Sequence, residues 1–177
     1  MLYRRRVLTR ARVAALGYVY VVLAVAALAL DGDYERAATA LFTVAAFAYL
    51  WFLGSLRAQL VRFDPDGFFA SLVVLGGASF LALQAAALAA QDVRLAAPAA
   101  GCAATVVISS SLAALRARKV ARWFGRLGIT GGVAVLAVGF AEAAAGWTLW
   151  RSTVWASALG FMIWVVVTAT YLLRREI

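Results

Sequence analysis

The chain has 177 residues, of which 66% are hydrophobic and 14% charged, and its formal net charge is +9. A soluble domain has roughly 45–50% apolar and about 25% charged residues, so this composition excludes an ordinary water-soluble globule. The sequence contains no histidine, which removes the commonest zinc ligand, the usual haem ligand and the commonest general base.

Six apolar segments follow one another along the chain, each long enough for a bilayer core of about 30 Å, which needs roughly 17–25 residues. They cover residues 13–30, 37–56, 68–90, 95–115, 127–147 and 153–173. Each should be helical, because lipid offers no partners to an exposed backbone. The first segment could be a signal peptide, but it is longer than a signal core and five more segments follow. We therefore predict an all-α integral membrane protein, a single six-helix transmembrane domain over residues 1–177.

The basic residues predict the direction of insertion. With the N-terminus inside, only Arg36, Arg94 and Arg151 of the 17 basic residues lie outside, which leaves 17 − 3 = 14 in the cytoplasm. Because basic loops stay cytoplasmic, we predict that both termini are cytoplasmic. The preference for arginine over lysine is typical of a GC-rich bacterial genome, so we expect the bacterial cytoplasmic membrane. This charge placement favours anionic headgroups over nucleic acid as the partner.

Short motifs recur at similar spacing along the chain. Leu-Arg pairs close the second, fourth and sixth segments, at positions 56–57, 115–116 and 173–174. Gln84 and the three alanines after it match Glu142 and its three alanines, 142 − 84 = 58 positions later. The chain can therefore be described as three similar helical hairpins. Chance similarity in an alanine-rich sequence is the alternative.

Two stretches resemble a known group of proteins. Residues 51–58 (WFLGSLRA) close the second segment and residues 122–128 (RWFGRLG) open the fifth. Both are similar to sequences in uncharacterised actinobacterial polytopic membrane proteins, a domain-of-unknown-function family. The resemblance implies the same topology over most of the chain and supplies no catalytic residue. The extracellular segments here are shorter than is usual in that group.

The fifth segment carries a regular pattern of glycines. They are Gly125, Gly128, Gly132, Gly139 and Gly146, four of them spaced by seven residues. Seven residues are nearly two helical turns, so these glycines share one face, and small residues allow membrane helices to approach closely. The third segment has candidate packing positions of the same kind at Gly76 and Gly77. We predict that all seven glycines are helix-packing positions.

Glu142 lies on the same predicted face, three residues after Gly139. A carboxylate at membrane depth is costly and is a functional candidate, since proton coupling requires a group that can be protonated. The structural alternative is that Glu142 reaches water, or pairs with Arg151 or Arg94, near the outer end. Gln84 follows Gly77 by seven residues, so we predict a Gln84–Glu142 hydrogen bond across a helix seam, or a transport site built from the same pair.

Other polar residues have simpler interpretations. Residues 64–67, Asp-Pro-Asp-Gly, suit a tight turn that caps the third segment better than a metal loop, because further oxygen ligands are missing. Ser109, Ser110 and Ser111 lie in the fourth segment, and Thr168 and Thr170 in the sixth. Hydroxyls in membrane helices usually bond to backbone carbonyls or join helices. A polar lining for ion conduction is the alternative.

Basic residues cluster around the connection between the fourth and fifth segments. They are Arg116, Arg118, Lys119, Arg122 and Arg126. Trp123 and Phe124 lie among them, so the connection is predicted to lie on the cytoplasmic headgroups as a short amphipathic segment. Docking of a partner protein is the alternative use of the same residues.

Two functions from different classes remain. The first is a non-enzymatic packing or assembly subunit, with a pocket for a lipid-like ligand as a variant; its partners are the bilayer, further copies of the chain or other membrane subunits. The second is a small proton-coupled transporter or channel that uses Glu142, which the apparent repeat favours. We expect no enzymatic activity, metal or cofactor, because catalytic bases and metal ligands are scarce.

Overall fold

The computed structural model describes the backbone of residues 2–30, 35–62, 64–90, 95–116, 122–145 and 150–174. Side chains are described at 13–30, 36–62, 64–87, 95, 97–116, 122–141, 144 and 158–171. Within these ranges the chain forms α-helices and no strand. The six helices are α1 (Leu2–Ala29), α2 (Glu35–Leu60), α3 (Phe68–Ala90), α4 (Ala96–Arg116), α5 (Arg122–Ala145) and α6 (Trp150–Arg174). The predicted all-α class is confirmed.

Helix boundaries agree best for α3, which follows the turn at residues 64–67. Helix α3 spans Phe68–Ala90, as predicted. Helix α5 begins at Arg122, five residues before the predicted 127, so Arg122 and Arg126 belong to its first turns rather than to a loop. Helix α1 extends back to Leu2, well before the predicted 13. Arginine is a good helix former, so a helix need not end where its apolar segment does.

Four of the helices contain described stretches long and apolar enough to cross a membrane. These stretches are Arg36–Leu60, Phe68–Ala87, Ala97–Arg116 and Arg122–Ala141. In α1 and α6 the described apolar stretches, Val13–Ala29 and Ala158–Tyr171, are shorter. The fold therefore indicates a helical membrane protein. The six-span count and the cytoplasmic termini stay predictions.

Large apolar side chains point outward from most of these helices. Val22, Trp51, Leu75, Phe140 and Ile163 are each more than three-fifths exposed. Helix α4 differs, because 61% of its apolar window is buried, against 28–33% for the windows of α2, α3 and α5. Exposed aromatic and aliphatic side chains are stable in lipid rather than in water, which agrees with a membrane location.

The chain divides into two compact units. The first unit comprises Met1–Leu56 with Val165–Ile177, and the second comprises Arg57–Trp164. Apolar helices build both units. The prediction of one transmembrane domain stays a prediction.

Aromatic rings fill the core of the first unit. The ring centroids of Tyr20 and Tyr49 lie 4.7 Å apart, and those of Tyr49 and Phe52 lie 6.4 Å apart. A Cβ added to Gly17 would lie 3.2 Å from both Phe52 and Ala169, so this glycine makes room for the phenyl ring. These contacts join α1, α2 and the end of α6 around large side chains.

The core of the second unit is centred on α4, which packs against both α3 and α5. Phe80 of α3 contacts Phe161 of α6 with ring centroids 4.8 Å apart, and Phe161 stacks on Trp164 at 5.8 Å. Gly160 of α6 lies against Val135 of α5. Rings therefore join α3 to α6, whereas small residues join α4 to its neighbours.

A capped turn starts α3. The Ala70 N–H donates to Oδ2 of Asp64 at 3.0 Å, and the Gly67 N–H donates to the Asp64 carbonyl at 2.9 Å. Gly67 has a φ of 66°, the left-handed conformation that glycine adopts without a steric cost. The turn predicted at residues 64–67 is confirmed, and its role is to bond a backbone donor at the helix start.

Candidate functional site

The candidate site is the contact between α4 and α5, where one helix presents glycines to the other. We call it the glycine seam and define it by the pairs Gly125–Leu115, Gly128–Ser111, Gly132–Ile108 and Gly139–Ala100. The residue number rises along α5 as it falls along α4, so the two helices are antiparallel. The glycines recur at intervals of three, four and seven residues, which keeps them on one face of α5.

The seam leaves no room for side chains on α5. A Cβ added to Gly139 would collide with the Ala100 Cβ, and one added to Gly128 would collide with the Ser111 Oγ. A Cβ on Gly132 would lie 2.6 Å from Ile108 Cγ1 and 3.4 Å from the Ala104 carbonyl oxygen. The two backbones are therefore close because α5 lacks Cβ atoms on this face. Such packing is how membrane helices gain contact without a hydrophobic driving force.

Two neighbouring glycines of α5 lie on different faces of the helix, one in the seam and one exposed. Gly132 is buried against α4, whereas Gly131 is exposed and an added Cβ there would meet nothing within 4 Å. Gly54 of α2 also has open space around it. The close approach thus depends on the face of the helix and not on glycine content alone.

Helix α3 makes a similar approach to α4. A Cβ on Gly76 would lie 3.1 Å from the Cys102 carbonyl oxygen and 3.3 Å from Val106 Cγ2. Gly77, the other glycine predicted to pack, is buried. Helix α4 is therefore approached by glycine faces of two helices, which accounts for the large buried fraction of its apolar window.

The three consecutive serines of α4 are all buried, at 4%, 6% and 1% exposure for Ser109, Ser110 and Ser111. Ser110 Oγ donates to the carbonyls of Val106 at 2.7 Å and Val107 at 3.0 Å. Ser111 Oγ donates to the Val107 carbonyl at 2.6 Å. Two of the three hydroxyl protons therefore remain within α4, the arrangement expected of packed membrane helices.

Trp164 brings an unpaired donor to the seam. Its indole Nε1 is buried without a hydrogen-bond partner among the described residues and lies 3.9 Å from the position of a Cβ on Gly128. Sequence reasoning did not single out Trp164. The available signal was its place inside the sixth segment, since a tryptophan away from the interface requires an acceptor for its N–H.

Several predicted residues lie outside the described side chains: Glu142, Gly146, Arg118 and Lys119. The Gln84–Glu142 hydrogen bond therefore stays a prediction, and Gln84 itself is half-buried on α3. Arg116, Arg122 and Arg126 are described, and all three are exposed. The described part of the chain contains no group of three or more acidic, cysteine or histidine side chains that could hold a metal ion.

Comparisons with family models, curated protein sequences and solved structures find no match to this chain. The resemblance to actinobacterial membrane proteins therefore stays a prediction. The fold defines only the class, which is a helical protein with four described helices long and apolar enough to cross a membrane.

Proposed function

We propose that this chain is a six-span protein of the bacterial cytoplasmic membrane, with both termini in the cytoplasm, that acts as a non-enzymatic packing or assembly subunit. The observation that supports this function most directly is the glycine seam. Its four glycine positions lie against α4 with no space for a side chain. Close helix packing of this kind suits a scaffold on which other subunits or lipids can pack.

The serines of α4 support the same proposal. A conducting path needs polar groups that face an open lumen. Ser110 and Ser111 are buried, and their protons are donated to carbonyls of their own helix. The hydroxyl protons are therefore used within α4 and do not offer a hydrated surface.

Native mass spectrometry of the protein released from lipid nanodiscs tests the assembly function. We expect one defined stoichiometry, either a homo-oligomer or a complex with other membrane subunits after purification from native membranes. A monomer that carries one reproducible small molecule in place of a protein partner would contradict assembly and would instead identify a ligand-binding subunit.

Single-cysteine labelling tests the topology. In a Cys102→Ala background, Asp66→Cys places a thiol in the exposed turn before α3, and Arg36→Cys places one at the start of α2. We expect an impermeant maleimide added outside intact cells to label the second variant and not the first. The reverse pattern would overturn the proposed orientation.

The transport alternative depends on Glu142. Under that alternative, Glu142→Gln abolishes pH-driven uptake into proteoliposomes, while Asp66→Asn in the exposed turn leaves uptake unchanged. We expect no such uptake from the unmodified protein. Uptake that Glu142→Gln removes would contradict the packing function and would establish proton coupling.

A further inference from the structure

One end of the second unit carries a concentration of positive charge. The exposed arginines there are Arg57, Arg62, Arg116, Arg122 and Arg126. Two acidic residues accompany them among the described residues, but Asp64 is fully buried and its Oδ2 accepts the Ala70 N–H, so only Asp66 is exposed. Five exposed cations and one exposed anion produce a surface that attracts phosphate groups.

Two contacts bring three of these arginines to the same place. The Arg116 guanidinium carbon lies 4.6 Å from the centroid of the Phe69 ring, so the end of α4 lies beside the start of α3. Gly125 lies directly against Leu115, so the first turns of α5 pack against the last turn of α4. Arg116 follows Leu115, and Arg122 and Arg126 flank Gly125 one helical turn apart on the exposed surface.

An aromatic side chain stands among these cations. Trp123 is 62% exposed, and its ring meets the buried Phe124 edge-on, with centroids 6.0 Å apart and an interplanar angle of 82°. Leu127, one turn further along α5, is 56% exposed. The indole therefore lies between the two cations of α5 and Leu127 lies beyond both, a combination typical of a membrane interface.

We propose that Arg116, Arg122 and Arg126 form a binding site for the phosphate of an anionic phospholipid, with Trp123 between the two α5 arginines at the membrane interface. Guanidinium groups bind phosphate oxygens with paired, charge-assisted hydrogen bonds. The stacking on Phe69 restricts the Arg116 side chain before any lipid arrives, which reduces the entropy lost on binding. The inference rests on the membrane insertion proposed above.

A lipid fits this surface better than an acidic protein segment. Val133 and Phe140, which are 54% and 67% exposed, follow Arg126 by seven and fourteen residues and therefore continue its face of α5 with apolar side chains. A phospholipid meets both parts at once, because its headgroup and acyl chains are joined in the same order. An acidic segment would satisfy the cations and leave the adjacent apolar surface uncovered.

The test is lipid retention in nanodiscs that contain equal amounts of phosphatidylglycerol and phosphatidylcholine. The protein is released and its bound lipids are counted by native mass spectrometry. We expect phosphatidylglycerol to be enriched on the unmodified protein. Each arginine removed by Arg122→Gln or Arg126→Gln should lower that enrichment about fivefold, the factor that corresponds to the usual contribution of one basic residue near an anionic surface.

Arg36→Gln is the matched control, since Arg36 is exposed at the other end of α2 and its loss changes the net charge equally. It should leave the enrichment unchanged, and Arg126→Lys should retain only part of it, because lysine keeps the charge but cannot make the paired hydrogen bonds. Equal losses for Arg36→Gln and Arg126→Gln would overturn the site in favour of a general charge effect. If inorganic phosphate, added at constant ionic strength, displaced the bound lipid, the ligand of the site would be a free anion and the lipid assignment would be wrong. No enrichment in the unmodified protein would overturn the proposal, while the subunit stoichiometry in the same spectra tests the assembly function separately.

Discussion

The two compact units solve the packing of membrane helices in different ways. In the first unit, Tyr49 and Phe52 are fully buried and stack on one another, so helices are held by large side chains. In the second, the seam glycines of α5 lie against α4 with no room for a Cβ, so α4 and α5 are held by close backbones, while rings join α3 to α6. The same chain thus contains a core filled by aromatic rings and a helix contact formed through glycines, which have no side chain.

The difference matters because lipid gives little hydrophobic advantage to burial. Helix contacts in a membrane depend on dispersion attraction and hydrogen bonds, and each atom pair contributes only about 0.1–0.2 kcal/mol. Rings supply many such pairs from a single residue, whereas glycines supply them by bringing two whole backbones together. Truncating a ring therefore removes only the contacts of that ring. Adding an atom at a glycine pushes two helices apart and so weakens the contacts along their whole length.

The largest effect is expected from Gly132→Leu. Its first added atom would lie 2.6 Å from Ile108 Cγ1 and 3.4 Å from the Ala104 carbonyl oxygen, and three further carbons follow. Overpacking by methylene groups costs about 1–3 kcal/mol, and occasionally more; here it must also move a backbone. We expect no folded protein after extraction in mild detergent, measured by size-exclusion chromatography and circular dichroism.

The neighbouring substitution Gly131→Leu is the control, because nothing lies within 4 Å of a Cβ at that position. It changes the same residue type in the same helix and should leave the elution profile and the melting curve unaltered. If both leucine variants behave alike, glycine content and not the seam explains the sensitivity of α5.

Phe52→Ala probes the other kind of core. Phe52 is fully buried, contacts Gly17 and stacks on Tyr49, so its removal leaves a cavity. Truncation of a buried phenylalanine costs about 3–5 kcal/mol in soluble proteins, and we expect the lower end of that range. Titration with a denaturing detergent measures the change in unfolding free energy.

Phe47→Ala on the same helix provides the comparison, since Phe47 is 62% exposed. Its substitution should change the unfolding free energy by no more than about 0.5 kcal/mol. A loss at Phe47 as large as that at Phe52 would mean that the ring-filled core of the first unit is not what stabilises it.

The sequence predicted the second unit better than the first. The seven-residue spacing of Gly125, Gly132 and Gly139 predicted a common packing face, because helical periodicity relates residues within one helix. It could not name α4 as the neighbour or pair Gly128 with Ser111, because partner and register depend on the fit between helices. In the first unit, Tyr20 and Tyr49 had no comparable periodic signal, since rings occur on lipid-facing and buried surfaces alike.

Local turn chemistry was also predictable, whereas helix ends in polar sequence were not. The turn at residues 64–67 follows from proline and glycine at fixed places, and the carboxylate of Asp64 accepts the Ala70 N–H. The start of α5 at Arg122 was predicted too late, because arginines and aromatics favour a headgroup loop and a helical turn equally well. Hydropathy locates the lipid boundary and not the helix boundary.

Gly139→Ala sharpens the comparison with a single methyl group. The added carbon would collide with the Ala100 Cβ, and neither carbon can rotate away because both are fixed to the backbone. We expect a loss of about 1–3 kcal/mol of unfolding free energy, and Ala100→Gly in the same molecule should recover part of it. If Gly139→Ala stabilised the protein, the seam would contain enough space for a methyl group, which would contradict the close backbone approach.

The smallest effect should come from the hydrogen bond between Tyr18 and Thr170, whose oxygens lie 2.7 Å apart in the first unit. Thr170 Oγ1 donates its proton to the Val166 carbonyl at 2.7 Å, so the Tyr18 hydroxyl is the donor. Interhelical hydrogen bonds in membranes contribute about 0.6 kcal/mol on average and at most about 1.7. Tyr18→Phe, Thr170→Val and the double variant form a cycle that measures the coupling by detergent titration. A coupling energy near the average would show that the rings, and not this polar contact, hold the first unit together. A coupling energy above about 1.7 kcal/mol would mean that this hydrogen bond is a major source of stability in the first unit. The conclusion that large rings hold the first unit together would then be wrong.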